Sequence, residues 1–346
     1  MSTKLDVYGL DQVTMTQVVR KLEKKGGKKI GLDFLPFYDS PTEETMWDII
    51  RAVNPLASFR AVDGEAELVG RQAFDRAYAD VVSLARKERF NTSDLRKIRE
   101  AGMLPVIDGT QSLVSQMANE AKRKIRAALE RCKNAVDNRL EWMQINALLG
   151  KIDSPSGSNV KFSVDYGVTG GQTGVVPSVL WSTVASATPL DDIQSWQTTV
   201  LDNCGILPDT VIMSRKALRY IMNNTAIRTM MQYTNPMMSL SKAKEVIQDN
   251  ADINIILYDT MYTDEAGTTT SRFLAENKII MFPSRAILPE GVGDTARVGH
   301  PLANYTPGYY SWSEEKKDPY GVFAGVGLDA FPRLKHPEVL FNAIVF

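Results

Sequence analysis

A chain of 346 residues, 44% hydrophobic and 23% charged, has the length for two or three compact units. Forty basic side chains against 41 acidic ones leave a formal net charge of −1, which excludes a strongly cationic nucleic-acid binder while allowing local basic faces. The N-terminus lacks the apolar core of a signal peptide, and no run approaches the roughly 18 consecutive apolar residues a membrane helix needs, so the expected setting is an aqueous cytoplasm with no membrane.

Residues 11–25 predict a short helix with Val18 and Leu22 on one face, closed by Gly26-Gly27. Arg20, Lys21, Lys24, Lys25, Lys28 and Lys29 form the densest basic stretch. It reads either as a solvated helix end or as a nonspecific contact to DNA or an acidic neighbouring subunit.

Residues 34–90 begin with an apolar, partly extended stretch (Phe34, Leu35, Phe37, Met46, Trp47, Ile49). They continue through turn signals at Asp63-Gly64 and Gly70. Phe74, Tyr78, Val82 and Leu84 fall at even spacing, predicting a long two-stranded excursion with a charged tip. A lone hairpin is marginal in water, so it is expected to lie against another surface.

The strongest periodicity lies at 111–149, uninterrupted by Gly or Pro, with Leu113, Met117, Ala121, Ile125, Leu129, Cys132, Val136, Leu140, Met143 and Ala147 recurring every three or four residues. One helix here would span roughly 55–60 Å. Its spacing drifts off a strict heptad, so a strut fits better than a coiled coil.

Val160, Phe162, Val164 and Tyr166 alternate with polar residues and predict a half-buried strand, and GVTGGQTG (167–174) then reads as a flexible surface loop. Beyond residue 189 the pattern is mixed. It predicts a helix opened by Asp191-Asp192 and ended by Gly205, a strand at 210–213, and a helix capped by Ser214. A helix near 241–248, strands at 253–258, 271–274 and 278–282, and an apolar C-terminal strand at 339–346 complete it. So apolar a terminus must be covered by the fold or by a neighbour.

The search for chemistry is largely negative. After Gly174 come Val175, Val176 and Pro177, where a phosphate-binding loop requires lysine and a hydroxyl residue. His300 and His336 each precede proline and have no partner at metal-ligand spacing. No nucleophile elbow or zinc-protease motif occurs, and Cys132 and Cys204 read as buried thiols. The expectation is no catalytic residue, no cofactor and no metal.

The order of pieces resembles a major capsid protein of the Hong Kong 97 phage fold, and within it the phage lambda major head protein (capsid protein E) family. FLPFYDSPTEETMWDI is similar to that family's aromatic lead into the extended loop, and LARKERFNTSDLRKIREAG to the segment leaving it. EWMQINALLGKI resembles the end of the spine helix and KFSVDYG the strand that follows. ATPLDDIQSWQ, PDTVIMSRKALRYIM and FLAENKIIMFPSRA resemble elements of the axial domain.

The resemblance implies an α+β fold divided into an N-terminal arm (1–44), an extended β-hairpin loop (45–90) and a peripheral domain with a spine helix at 111–149 (91–185). An α/β axial domain (186–325) and a C-terminal strand region (326–346) complete it. It implies many copies, in hexamers and pentamers, closing an icosahedral procapsid and virion shell around double-stranded DNA of a tailed bacteriophage. Assembly would take place in the host cytoplasm with scaffolding, portal and decoration proteins as partners.

On this reading Phe34, Phe37, Glu65, Glu67, Arg71, Arg76 and Asp80 are the candidate inter-subunit contacts, and arm and hairpin lie detached over an adjacent copy. Two alternatives stay open: an encapsulin-like nanocompartment shell, and a soluble carboxylate-dependent hydrolase, which would have a deep pocket and a small oligomer.

Overall fold

A computed structural model describes residues 12–22, 28–42, 44–49, 75–91, 113–155, 161–231, 239–265, 267–318 and 320–346. The elements in chain order are α1 (Gln12–Lys21), α2 (Gly31–Phe34), β1 (Phe37–Asp39), β2 (Glu44–Ile49), β3 (Asp75–Asp80), β4 (Val82–Asn91) and α3 (Leu113–Leu148). Then follow β5 (Lys151–Asp153), β6 (Ser163–Asp165), α4 (Pro189–Cys204), β7 (Thr210–Met213), α5 (Arg215–Asn223), α6 (Thr225–Met231), α7 (Leu240–Ala251) and β8 (Asn254–Leu257). The chain closes with β9 (Met261–Thr263), β10 (Thr270–Arg272), β11 (Lys278–Phe282), β12 (Gly293–Val298), β13 (Tyr310–Lys317), β14 (Tyr320–Leu334) and β15 (Phe341–Ile344).

The periodic stretch forms one helix of 36 residues, about 54 Å at 1.5 Å per residue. Its apolar stripe feeds two cores. Ala121, Ile125, Ala128, Leu129 and Cys132 pack with Met15 and Val19 of α1 and with Val322, Ala324 and Val326 of β14. Val136, Leu140, Met143, Ala147 and Leu148 join a larger core built on β7, β11, β15 and helices α4, α5 and α7. Strand β14 runs through both cores, with Leu328, Ala330, Phe331 and Leu334 in the larger one.

In the first sheet β4 lines one edge of β14, pairing Ala330 with Val82 through Gly321 with Asn91. The other edge is shared end to end by β12, opposite 329–334, and β13, opposite 320–327. Segment 299–309 is the insertion between them. β1 adds to β12 in parallel. Alternation puts Val322, Ala324, Val326 and Leu328 toward α3 and places Gly325 and Gly327 on the opposite face. There a Cβ at Gly325 would lie 2.4 Å from the Trp312 ring, and one at Gly327 2.4 Å from that of Tyr310. The glycines let the two rings lie flat on the strand.

The second sheet runs β15-β11-β7-β8, antiparallel except for the β7–β8 pair. Several sequence signals act as predicted. Gly205 takes the left-handed C-cap of α4 at φ 70°, and Ser214 Oγ accepts the Ala217 N–H at 3.1 Å to open α5.

Three expectations need correction. The apolar face of α1 is Met15 and Val19, with Val18 and Leu22 only half-buried, because Thr16 must also face inward to meet Ser311 across 3.3 Å. The loop 167–174 is tied down: Gln172 is fully buried, donates to the Glu338 carbonyl at 3.1 Å, and accepts the Asn342 N–H at 2.7 Å, covering β15. The even spacing of Tyr78, Val82 and Leu84 does not belong to one strand, and Phe74 lies outside the described residues. The chain breaks at Val81, and Val82–Asn91 joins the five-stranded sheet, where Leu84 and Phe90 find apolar cover.

Candidate assembly surfaces

Where the N-terminal segments go is decided by polar groups on one face of α3. Short helix α2 has unsatisfied N–H groups at its start, and no side chain of its own caps them. Glu141, buried in α3, supplies the missing acceptor. Its Oε1 takes the Ile30 N–H at 2.9 Å and the Tyr258 hydroxyl at 2.7 Å, and the Gly31 N–H reaches Oε2 at 3.1 Å. Burial, first, and the adjacent carboxylate push the Tyr258 phenol far above its ordinary value.

One turn further along, Gln144 Nε2 donates to the Leu35 carbonyl at 3.2 Å and to Thr295 Oγ1 at 2.8 Å. Gly31 is required by this approach, since a Cβ there would fall 2.3 Å from Gln144 Oε1.

α1 is seated by a second set of bonds. Lys133 Nζ donates to the Leu22 carbonyl at 2.5 Å, a cation at the negative end of that helix. Arg20 donates to the carbonyls of Tyr309 at 2.9 Å and Thr306 at 3.0 Å. The Tyr309 hydroxyl donates to Asp137 Oδ1 at 2.5 Å, and burial together with that carboxylate raises the phenol strongly. Residues 12–22 and 28–40 are thus fixed to their own subunit. The expected detached arm is not found there, because α3 turns buried acceptors and donors toward it.

The candidate contact residues separate into groups. Phe34 is half-buried and packs edge-on against Phe282 with centroids 4.8 Å apart. Phe37 is half-buried beneath the Arg297 guanidinium, 4.8 Å from the ring. Asp80 is exposed on β3, opposite Glu44, and Arg76 pairs through its backbone with Asp48. Glu65, Glu67 and Arg71 lie outside the described residues, as do Lys24 and Lys25.

Lys21 and Lys28 are exposed, Lys29 is half-buried, and the Lys28 carbonyl accepts from Thr260 Oγ1 at 2.7 Å. The structure therefore places Phe34 against β11 and Phe37 against β12, and leaves Asp80 on the β2–β3 ribbon. The partners of Glu141 and Arg20 lie more than a hundred residues away in sequence, so no local pattern marks either residue.

The chemistry available is that of packing surfaces. Cys132 is buried, and desolvation, the largest influence, raises its thiol to about 11; burial likewise raises Cys204. Among the described residues no group of three or more His, Cys, Asp or Glu could hold a metal, and no helix is long and apolar enough to cross a membrane.

An open groove of about 830 Å³ between β4, α3 and the β9–β10 hairpin is lined in part by two ion pairs, Arg131 with Glu88 at 2.8 Å and Arg139 with Glu265.

The body is braced by one long helix, and β2 and β3 pair as a separate two-stranded ribbon. The fold class is that of Hong Kong 97-like capsid proteins.

The family model for phage major capsid protein E matches residues 11–345, and the chain belongs to that family. Family and fold are those of structural capsid proteins, not enzymes. The chain is similar in fold to a crystal structure described as a capsid protein of prophage from E. coli CFT073, at TM-score 0.64 and 16% identity over 97% of this chain and 99% of that one. It is also similar to a phage-related protein from Bordetella bronchiseptica RB50, at TM-score 0.54 and 12% identity, covering 95% of each. No curated protein matches the chain significantly.

Proposed function

We propose that many copies of this chain, arranged as hexamers and pentamers, close an icosahedral shell around the double-stranded DNA of a tailed phage, assembling in the host cytoplasm. The observation that carries this reading is the match to the capsid family over residues 11–345. The antiparallel ribbon Glu44–Ile49 with Asp75–Asp80 supports it, because a two-stranded element gains stability by lying on a neighbour. In this reading α3 is the spine of a peripheral domain that β4 and strands β12–β14 join, the axial domain is built on the β15-β11-β7-β8 sheet, and the ribbon belongs to an extended loop that ends before Val82.

Phe34, Phe37, Glu65, Glu67, Arg71, Arg76 and Asp80 face adjacent copies, and Lys21, Lys24, Lys25, Lys28 and Lys29 serve DNA or subunit contact. A chain of net charge −1 would meet DNA through such a local basic face and nonspecific phosphate contacts. Scaffolding, portal and decoration proteins are the further partners.

The test is expression with the neighbouring phage genes, followed by nuclease treatment of purified particles. Protected double-stranded DNA of uniform length supports the reading; particles holding protein and no genome contradict the viral role. Arg71→Glu with Arg76→Glu is expected to yield folded subunits that do not assemble, and wild-type particle yield from that variant would remove those residues from the contact.

A further inference from the structure

The insertion 299–309 carries a feature that the packing of the subunit does not use. Asn304 and Tyr305 both adopt left-handed backbone, at φ 53° and 56°. The Thr306 N–H returns to the Ala303 carbonyl at 3.1 Å, closing a type I′ turn. Such turns favour glycine at the second central position, and a bulky residue there is a genuine outlier. Tyr305 is nevertheless 73% exposed, so no intramolecular packing of its ring compensates the strain.

The loop around it is firmly held. Arg20 grips the carbonyls of Thr306 and Tyr309, and Gln12 Nε2 donates to the Leu302 carbonyl at 3.0 Å. His300 stacks on Tyr310 with centroids 3.9 Å apart. Gly299 passes so close that a Cβ would sit 2.0 Å from the Tyr305 carbonyl oxygen. A ring presented this way is pre-organised, and a docked Tyr can remove about 150–250 Å² from water at little entropic cost.

Charge points to the kind of partner. Segment 299–309 (GHPLANYTPGY) contains no Asp, Glu, Lys or Arg in a chain that is 23% charged. The guanidiniums of Arg20 and Arg297 lie at the base of the segment near Gly308, while the turn that carries the ring is itself uncharged, as the core of an interface is. The chain itself offers uncharged receiving positions, with Val176 and Met230 each more than half exposed.

We propose that the Tyr305 turn is a contact between copies of this chain, its ring seated on an uncharged apolar patch of a second copy. This rests on the shell-building reading and adds an anchor on the body of the subunit, apart from the ribbon.

The test compares wild type, Tyr305→Gly, Tyr305→Asn and Tyr305→Phe for thermal unfolding of the subunit and for particle yield against protein concentration. Glycine and asparagine both tolerate the left-handed turn, so those subunits should unfold at the wild-type temperature or above. Their half-maximal assembly should nonetheless need roughly tenfold more protein, the loss expected for an interface anchor. Tyr305→Phe should assemble as wild type does.

Wild-type assembly curves for the Gly and Asn variants would overturn the contact and leave the shell reading intact. Normal shells that have lost only the binding of another phage protein would also overturn it, moving Tyr305 to that partner. A wild-type chain that never assembles would overturn both.

Discussion

Glu141→Gln isolates the latch that fixes the N-terminal segments to the long helix. Glutamine keeps the shape and one acceptor, so the Ile30 N–H and Tyr258 hydroxyl, at 2.9 and 2.7 Å, retain a partner. Each of those two bonds loses its charge assistance, about 0.5–1.5 kcal/mol apiece. The new NH2 group then stands where Oε2 accepted the Gly31 N–H at 3.1 Å, leaving that N–H its second bond, to Oε1 at 3.2 Å, and facing it with a donor, at a cost of about 1–3 kcal/mol.

Neutralising a carboxylate that is 2% exposed recovers some desolvation, which opposes the loss without cancelling three bonds. The net expectation is a destabilisation of about 2–4 kcal/mol, a large part of a typical 5–15 kcal/mol domain stability.

Urea unfolding of the unassembled subunit reads the global effect. Tryptic cleavage at Lys28 and Lys29 reads local opening, and should accelerate at least about tenfold, since every 1.4 kcal/mol is a factor of ten. Glu245→Gln, at an exposed position of α7, is the control. Unfolding within about 0.5 kcal/mol of wild type together with unchanged cleavage would refute the latch.

Gly325→Ala should cost about 1–3 kcal/mol by driving a methyl group into the Trp312 ring, and Trp312→Leu in the same chain should recover part of it, as read by thermal unfolding. Neither Cys132 nor Cys204 should react with a thiol reagent at pH 8 while folded, and both should react in denaturant. Early reaction of Cys132 would contradict its burial and its thiol raised to about 11.

The Arg297 guanidinium holds the Asp39 carboxyl below its ordinary value, so the pair's contribution should be fully present above about pH 4 and fade as the pH falls through the lowered folded value. Asp39→Asn should therefore weaken protection of β1 in hydrogen exchange at neutral pH and flatten its acid dependence; an unchanged acid dependence would contradict the pairing.

Legibility in the sequence followed local physics. The stripe from Ala121 to Ala147 dictated a helix because every third or fourth residue was apolar and nothing interrupted it. Gly205 and Ser214 marked ends because their conformational and hydrogen-bonding preferences act within a few residues.

What stayed hidden depended on distant partners. Glu141 looks like any helical glutamate until α2 and Tyr258 arrive from positions more than a hundred residues away in either direction. Val82–Asn91 alternates like the hairpin before it, and only its pairing with β14 assigns it to the main sheet. Of the candidate contacts, the arm residues Phe34 and Phe37 already meet Phe282 and Arg297 within the subunit, which their local sequence does not reveal. An interface between copies leaves no periodic trace in one chain, and Tyr305 shows itself through its backbone angle.

The most direct test of the central claim is electron microscopy of the largest species that a sizing column separates after the chain is expressed with and without its neighbouring phage genes. Uniform closed shells tens of nanometres across are the predicted result; monomers or small oligomers in both expressions would contradict a shell-building subunit.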